Sequence, residues 1–222
     1  MLQYLRSDGD IMKSKASLIP FIILGLVTIL GCGRFSRQLN TNEPKLSEEK
    51  QSNAFTLTGK EWKSFDLDGT DIKVDLPGQP ADKSPQESQL PPGTKEVFSS
   101  MRINAYDEKD FGSSYSQLVP TGKRGFTIKE LADTSMAALK KQARDLTYTL
   151  DIKSPTNAKY DGTFTKNGKN YELKGCVIYQ KAGPARVWSV ITVYPNDSTD
   201  GRTASGRIIE SVVFEGSSEE CK

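Results

Sequence analysis

The stretch that decides the fold class runs from residue 160 to residue 194, YDGTFTKNGKNYELKGCVIYQKAGPARVWSVITVY. Asn167-Gly168 is a hairpin dipeptide, and it joins a strand expected at 160–165 to one at 171–179. Ala182-Gly183-Pro184 turns the chain again into a strand at 187–194. Three neighbouring strands joined by short turns form an antiparallel meander, because parallel strands need a long crossover.

Upstream of the meander, Tyr148, Leu150 and Ile152 alternate as a further strand. Before them lies the best-specified helix. Thr127 and Glu130 have the spacing of a capping box, and Phe126 and Leu131 that of a hydrophobic staple. Ile128, Leu131, Ala132, Ser135, Leu139 and Ala143 trace its apolar face. Lys140, Lys141 and Arg144 gather at its end, where they suit the helix dipole as a solvated terminus.

Nearer the start, Phe65 and Leu67, then Asp68-Gly69, then Ile72, Val74 and Leu76 read as a hairpin. Residues 77–94 carry Pro77, Pro80, Pro85, Pro91 and Pro92 without apolar rhythm, and read as a long exposed loop, either functional or disordered, with disorder the favoured reading. Strands are expected at 101–105 and 115–119. Past the meander, Ala204–Ile209 allows a short second helix and Val212–Phe214 a closing strand. The class is therefore α+β: an antiparallel sheet with one main helix and one short C-terminal helix.

Three motifs, Ile72-Lys73-Val74-Asp75-Leu76-Pro77-Gly78-Gln79-Pro80, Val190-Ile191-Thr192-Val193-Tyr194 and Ile209-Glu210-Ser211-Val212-Val213-Phe214, carry a resemblance to the Mog1/PsbP-like family. It implies a layered domain over about residues 58–216 and carries over no catalytic residue.

The first 31 residues read differently. Lys13 and Lys15 precede an apolar run, Leu18–Leu30, whose 13 residues fit the hydrophobic region of an export signal but fall short of a membrane span. Asp8 and Asp10 are foreign to a basic leader, so Met12 is an alternative start. The run ends in Ile29-Leu30-Gly31-Cys32, which resembles the lipobox of bacterial lipoproteins, with Ile where Leu is usual. The resemblance implies cleavage before Cys32, diacylglycerol on its thiol and a further amide-linked chain. Several acyl chains hold a protein in a bilayer far better than one. Gly33 follows the cysteine in place of the Asp that marks inner-membrane retention in many Gram-negative bacteria. The alternative is ordinary secretion, with Cys32 left as a free thiol.

The expected organisation is thus 1–31 signal peptide, 32–54 lipidated cysteine and polar tether, 55–216 one α+β domain, and 217–222 a tail. A tether of this length spans a root-mean-square ~25 Å.

Composition limits function. Without the leader, which holds Arg6, Lys13 and Lys15 against Asp8 and Asp10, net charge is about +1, which fits no nucleic-acid surface. Histidine is absent. That removes the usual general base of Ser and Cys hydrolases and the commonest zinc ligand. No cofactor and no metal site is expected. Cys176 and Cys221 would close a loop of about 45 residues if bonded, worth roughly 4 kcal/mol in the chain-entropy model. Otherwise Cys176 is a small buried strand residue and Cys221 lies in a loose tail.

Phe65-Asp66-Leu67-Asp68-Gly69-Thr70 matches the first motif of haloacid-dehalogenase-like phosphatases. There Asp66 would attack phosphorus, Asp68 would act as general acid and Mg²⁺ would bridge carboxylate and phosphate. That chemistry needs a helix after the motif, whereas an alternating strand follows. Asp66, Asp68 and Asp71 also have part of a calcium-loop spacing, without its twelfth-position Glu. Gly201–Gly206 has the interval of a phosphate loop, but Arg207-Ile208 replaces its Lys and Ser/Thr. Ser47 and Lys50 show a Ser-x-x-Lys spacing without partner motifs. Trp62, Tyr171, Tyr179, Trp188 and Tyr194 would line an aromatic groove if they shared a face, and are sheet core otherwise.

The expectation is a non-catalytic binding or assembly module of the cell envelope. It would be held at the cell membrane or outer membrane by lipid on Cys32, face the periplasm or exterior, and engage an envelope protein or small ligand. The alternative is a Mg²⁺-dependent phosphomonoesterase using Asp66 and Asp68.

Overall fold

The computed structural model describes residues 54–222 except 87, 89, 91, 92, 144 and 182. The segments expected as export signal and tether, through residue 53, and Cys32 between them lie outside the described residues, as does Arg144 of the expected basic helix end. Among the described residues, two sheets and three helices make an α+β domain. The strands are β1 Lys63–Leu67, β2 Ile72–Leu76, β3 Ala81–Asp82, β4 Phe98–Glu108, β5 Phe111–Pro120, β6 Thr147–Ser154, β7 Asn157–Lys166, β8 Lys169–Gln180, β9 Arg186–Pro195 and β10 Val213–Phe214. The helices are α1 Thr94–Val97, α2 Ile128–Gln142 and α3 Thr199–Ser211.

A seven-stranded antiparallel sheet in the order β3-β4-β5-β9-β8-β7-β6 forms the middle layer. A small sheet, β1-β2-β10, lies with α3 on one face, and α2 lies on the other. The period of two in the central strands explains how one sheet serves two cores. On β9, Val187, Ile191 and Val193 join the α2 core, while Trp188, Val190 and Tyr194 join the core under the small sheet and α3. Strand β8 divides likewise, with Leu173, Val177 and Tyr179 on one side and Cys176 and Ile178 on the other. At Gly175 a Cβ would come 2.1 Å from the Val190 carbonyl oxygen and 2.6 Å from the Tyr160 ring. The absent side chain lets Tyr160 lie across the strand and donate its hydroxyl to that carbonyl at 3.0 Å.

Helix α2 begins where its capping box places it. The Thr127 hydroxyl accepts from the Glu130 N–H at 3.2 Å, and the Thr127 N–H donates to the Glu130 carboxylate at 2.9 Å. At the other end Lys140 lies over the Tyr148 ring, 5.3 Å from its centroid. The Asn167-Gly168 turn has φ of 53° and 74°, the left-handed pair that a two-residue hairpin requires.

Four expectations are corrected. The stretch 77–94 is not loop throughout, since Ala81–Asp82 forms β3 and pairs with β4 through Ala81 and Ala105, and Thr94 opens α1, which precedes β4. Two residues are too short a strand to show alternation. Strand β5 starts at Phe111, because Phe111–Tyr115 is buried on both faces and so loses the polar alternation of a half-exposed strand. Helix α3 starts at Thr199 rather than Ala204, with the Ser198 hydroxyl capping Gly201 N–H at 2.9 Å. Gly201 disguises that start, and its bareness has a cause: a Cβ there would meet Tyr194 at 2.8 Å. The segment 217–222 is held against the domain. Thr156 donates to the Glu219 carboxylate at 2.6 Å, Asn157 donates to the Glu220 carbonyl at 2.8 Å, and Cys221 is buried.

Candidate functional site

The acidic motif at 66–71 forms the bend of the β1–β2 hairpin, which is four residues long, since Leu67 pairs with Ile72. Asp66 lies within β1, 76% exposed and 3.9 Å from Lys73. Asp68 begins the bend, and its carbonyl accepts from Asn104 at 3.3 Å. The rest of the bend is fastened face-down onto the large sheet. The Thr70 carbonyl accepts from Gln117 and from the Trp188 indole, both at 2.8 Å. The Asp71 carboxylate accepts from Gln117 at 2.7 Å and meets Arg186 at 3.1 Å. The phosphomonoesterase reading needs the motif at a strand end followed by a helix, whereas here it lies on an antiparallel hairpin followed by β2, so the fold does not supply that frame. The calcium spacing fails too, because Asp71 is spent on Gln117 and Arg186. Among the described residues no three His, Cys, Asp or Glu side chains gather as a metal site.

The aromatic residues do not form one groove. Tyr171 and Tyr179 pack with the α2 core, whereas Trp62, Trp188 and Tyr194 belong to the core on the opposite face. Arg207 covers Trp62, its guanidinium carbon 4.2 Å from the ring centroid. Gly201 and Gly206 both lie inside α3 and shape no phosphate loop.

What the fold does expose is a polar floor on β6, β7 and β8, on the sheet face turned away from α2. Register makes it. Thr147 pairs with Thr163, which pairs with Glu172, and Thr149 pairs with Asp161, which pairs with Lys174. Six side chains therefore stand in two rows on one face. The floor lines an open cavity of about 330 Å³. The Thr147 and Thr163 hydroxyls are 3.0 Å apart, and Lys174 stands 4.0 Å from Asp161. At the border with α3, the Glu172 carboxylate accepts from the Tyr194 hydroxyl and from Arg202, each at 2.8 Å. Burial, and then that carboxylate, hold the Tyr194 phenol above its ordinary pKa. The floor thus offers hydroxyls and charges of both signs among mostly apolar wall surface, suited to orienting a small ligand that carries polar groups, with no nucleophile paired to a base.

A second cavity, about 360 Å³, lies under the segment expected as a loop and is lined by Pro85, Leu90, Lys95, Phe98, Met101 and Arg102 among others.

No family model matches the chain, and no curated protein matches it. Among solved structures it is similar to LpqN of Mycobacterium tuberculosis, described as involved in cell envelope biogenesis. The identity there is 13% over 72% of this chain and 97% of that one, with a TM-score of 0.38. It is also similar to the Ran-binding protein Mog1p of Saccharomyces cerevisiae, at 12% identity over 70% of this chain and 96% of that one, with a TM-score of 0.40.

Cys176 and Cys221 are bonded in the structure, with Cα atoms 5.5 Å apart. The bond ties the end of the chain to β8. None of the six floor residues stands out in the sequence. The only trace is polar residues two apart in 147–149, 161–163 and 172–174, and without the register of three strands nothing unites them. Among the described residues no helix is long and apolar enough to cross a membrane.

Proposed function

We propose that the protein is a lipid-anchored, non-catalytic binding module of the cell envelope, held by diacylglycerol on Cys32 at the cell membrane or outer membrane. The domain stands in the periplasm or outside the cell and takes a polar ligand or an envelope protein on the β6–β7–β8 floor. The observation that carries this reading is the Ile29-Leu30-Gly31-Cys32 motif at the end of a 13-residue apolar run. Two further features support it. The chain has no histidine, and its most reaction-like motif lies on a hairpin bend that is fastened to the large sheet through the Asp68 and Thr70 carbonyls.

The start of the domain suits a tethered role. Phe55 N–H donates to Asp110 at 2.9 Å, Lys109 donates to the Ala54 carbonyl at 3.0 Å, and Phe55 stacks on Phe111 with centroids 4.6 Å apart. Leu57 N–H donates to Asp200 at 2.9 Å. The tether therefore leaves from a fixed point beside the β4–β5 turn and the start of α3.

The floor is tested in cells with a photo-crosslinking residue at position 163 of the full chain. A single discrete adduct, lost when Lys174→Glu is added, supports the reading. No adduct, or one indifferent to Lys174→Glu, refutes the floor as the binding site.

A further inference from the structure

Among the described residues, strand β6 ends the seven-stranded sheet and pairs only with β7, so Thr147–Ser154 has one long edge with no described strand beside it. The opposite end of the sheet is the two-residue β3. Unpaired N–H and C=O groups along an edge are a template for another strand.

The side chains on this edge name the partner. Ile152 is 47% exposed, one of two large apolar residues so placed among the described residues. Its neighbours Asp151 and Lys153 form an ion pair and therefore project to the same side. Read backwards, Asp151-Ile152-Lys153 becomes Lys-Ile-Asp. In an antiparallel pair about a two-fold axis at Ile152, the isoleucine meets its own copy, and each Asp151 meets the Lys153 of the second chain. An axis at Asp151 would set two carboxylates against each other, which cross-strand pairing disfavours. Charge thus selects both the partner and the register.

We propose that β6 is the contact between two copies of this chain, joined edge to edge in an antiparallel pair centred on Ile152. Lys153 lies at a bulge where β6 and β7 shift register by one residue. A bulge strengthens the local twist, which confines the pairing to a few residues around Ile152 and makes the dimer weak and reversible. The inference does not depend on the reading of Cys32 or of the polar floor.

Sedimentation velocity from micromolar to millimolar concentration tests it, on the chain from residue 33 onward, which holds both cores entire. The wild type is expected to pass from monomer to dimer. Asp151→Lys sets lysine against Lys153 and should weaken the dimer about tenfold or more, near 1.4 kcal/mol. Combining Asp151→Lys with Lys153→Asp recreates the complement and should restore it. Ile152→Arg is an independent disruption, and all these side chains are exposed, so the melting temperature should hold. A monomer at every concentration, a dimer indifferent to Asp151→Lys and Ile152→Arg, or a double swap that fails to restore would overturn the proposal.

Discussion

Asp107, on β4, shows what a single residue can cost this fold. One of its carboxylate oxygens is buried with no hydrogen-bond partner. Burial pushes its pKa up to about 6, against an opposing pull from Lys83. A carboxyl with a raised folded-state pKa binds its proton more tightly in the native state. Its contribution is therefore most favourable below the unfolded value near 4 and is lost as pH rises through 6. Asp107→Asn should stabilise the protein at pH 7 by on the order of 1 kcal/mol, a figure reduced for partial solvent screening. The gain should vanish at pH 4. Urea melts at both pH values check this, and equal effects at both would show that the carboxyl is not strained. Nothing in the sequence marks Asp107, because its burial arises from tertiary packing alone.

Among the elements, α2 and α3 differ in how much the sequence discloses. Helix α2 is legible because its capping box and staple are local, contained in Phe126–Leu131. Helix α3 is obscured by two glycines with opposite reasons for being there. Gly201 is packed against Tyr194, whereas a Cβ on Gly206 would meet nothing within 4 Å. Gly206→Ala should therefore raise stability by up to about 1 kcal/mol through helix propensity. Gly201→Ala should lower it by about 1–3 kcal/mol through overpacking. Thermal melts of the two variants are expected to move in opposite directions, and shifts of the same sign would contradict this packing of α3. The hairpins at 66–73 and 165–170 were legible from Asp68-Gly69 and Asn167-Gly168. Strand β5 was masked by buried serines, and β3 by its brevity.

At the scale of the whole molecule, layering was legible and pairing was not. Alternation on β8 and β9 implies a sheet, but only the fold shows that both faces are covered and that the polar floor lies on β6–β8. Two cysteines likewise give no pairing by themselves. With Cys176 bonded to Cys221, the domain denatured without reductant should show neither thiol. Reduction should lower its stability by roughly 4 kcal/mol. Free thiols at both positions before reduction would contradict the bonded end of the chain. The central claim, however, concerns how the whole molecule is held, and it rests on Cys32. Labelling cells with a palmitate analogue tests it most directly. The account predicts label on the wild-type protein in the membrane fraction, with both label and membrane retention lost in Cys32→Ser. An unlabelled wild type free of the membrane, or a Cys32→Ser variant that keeps its label, would contradict it.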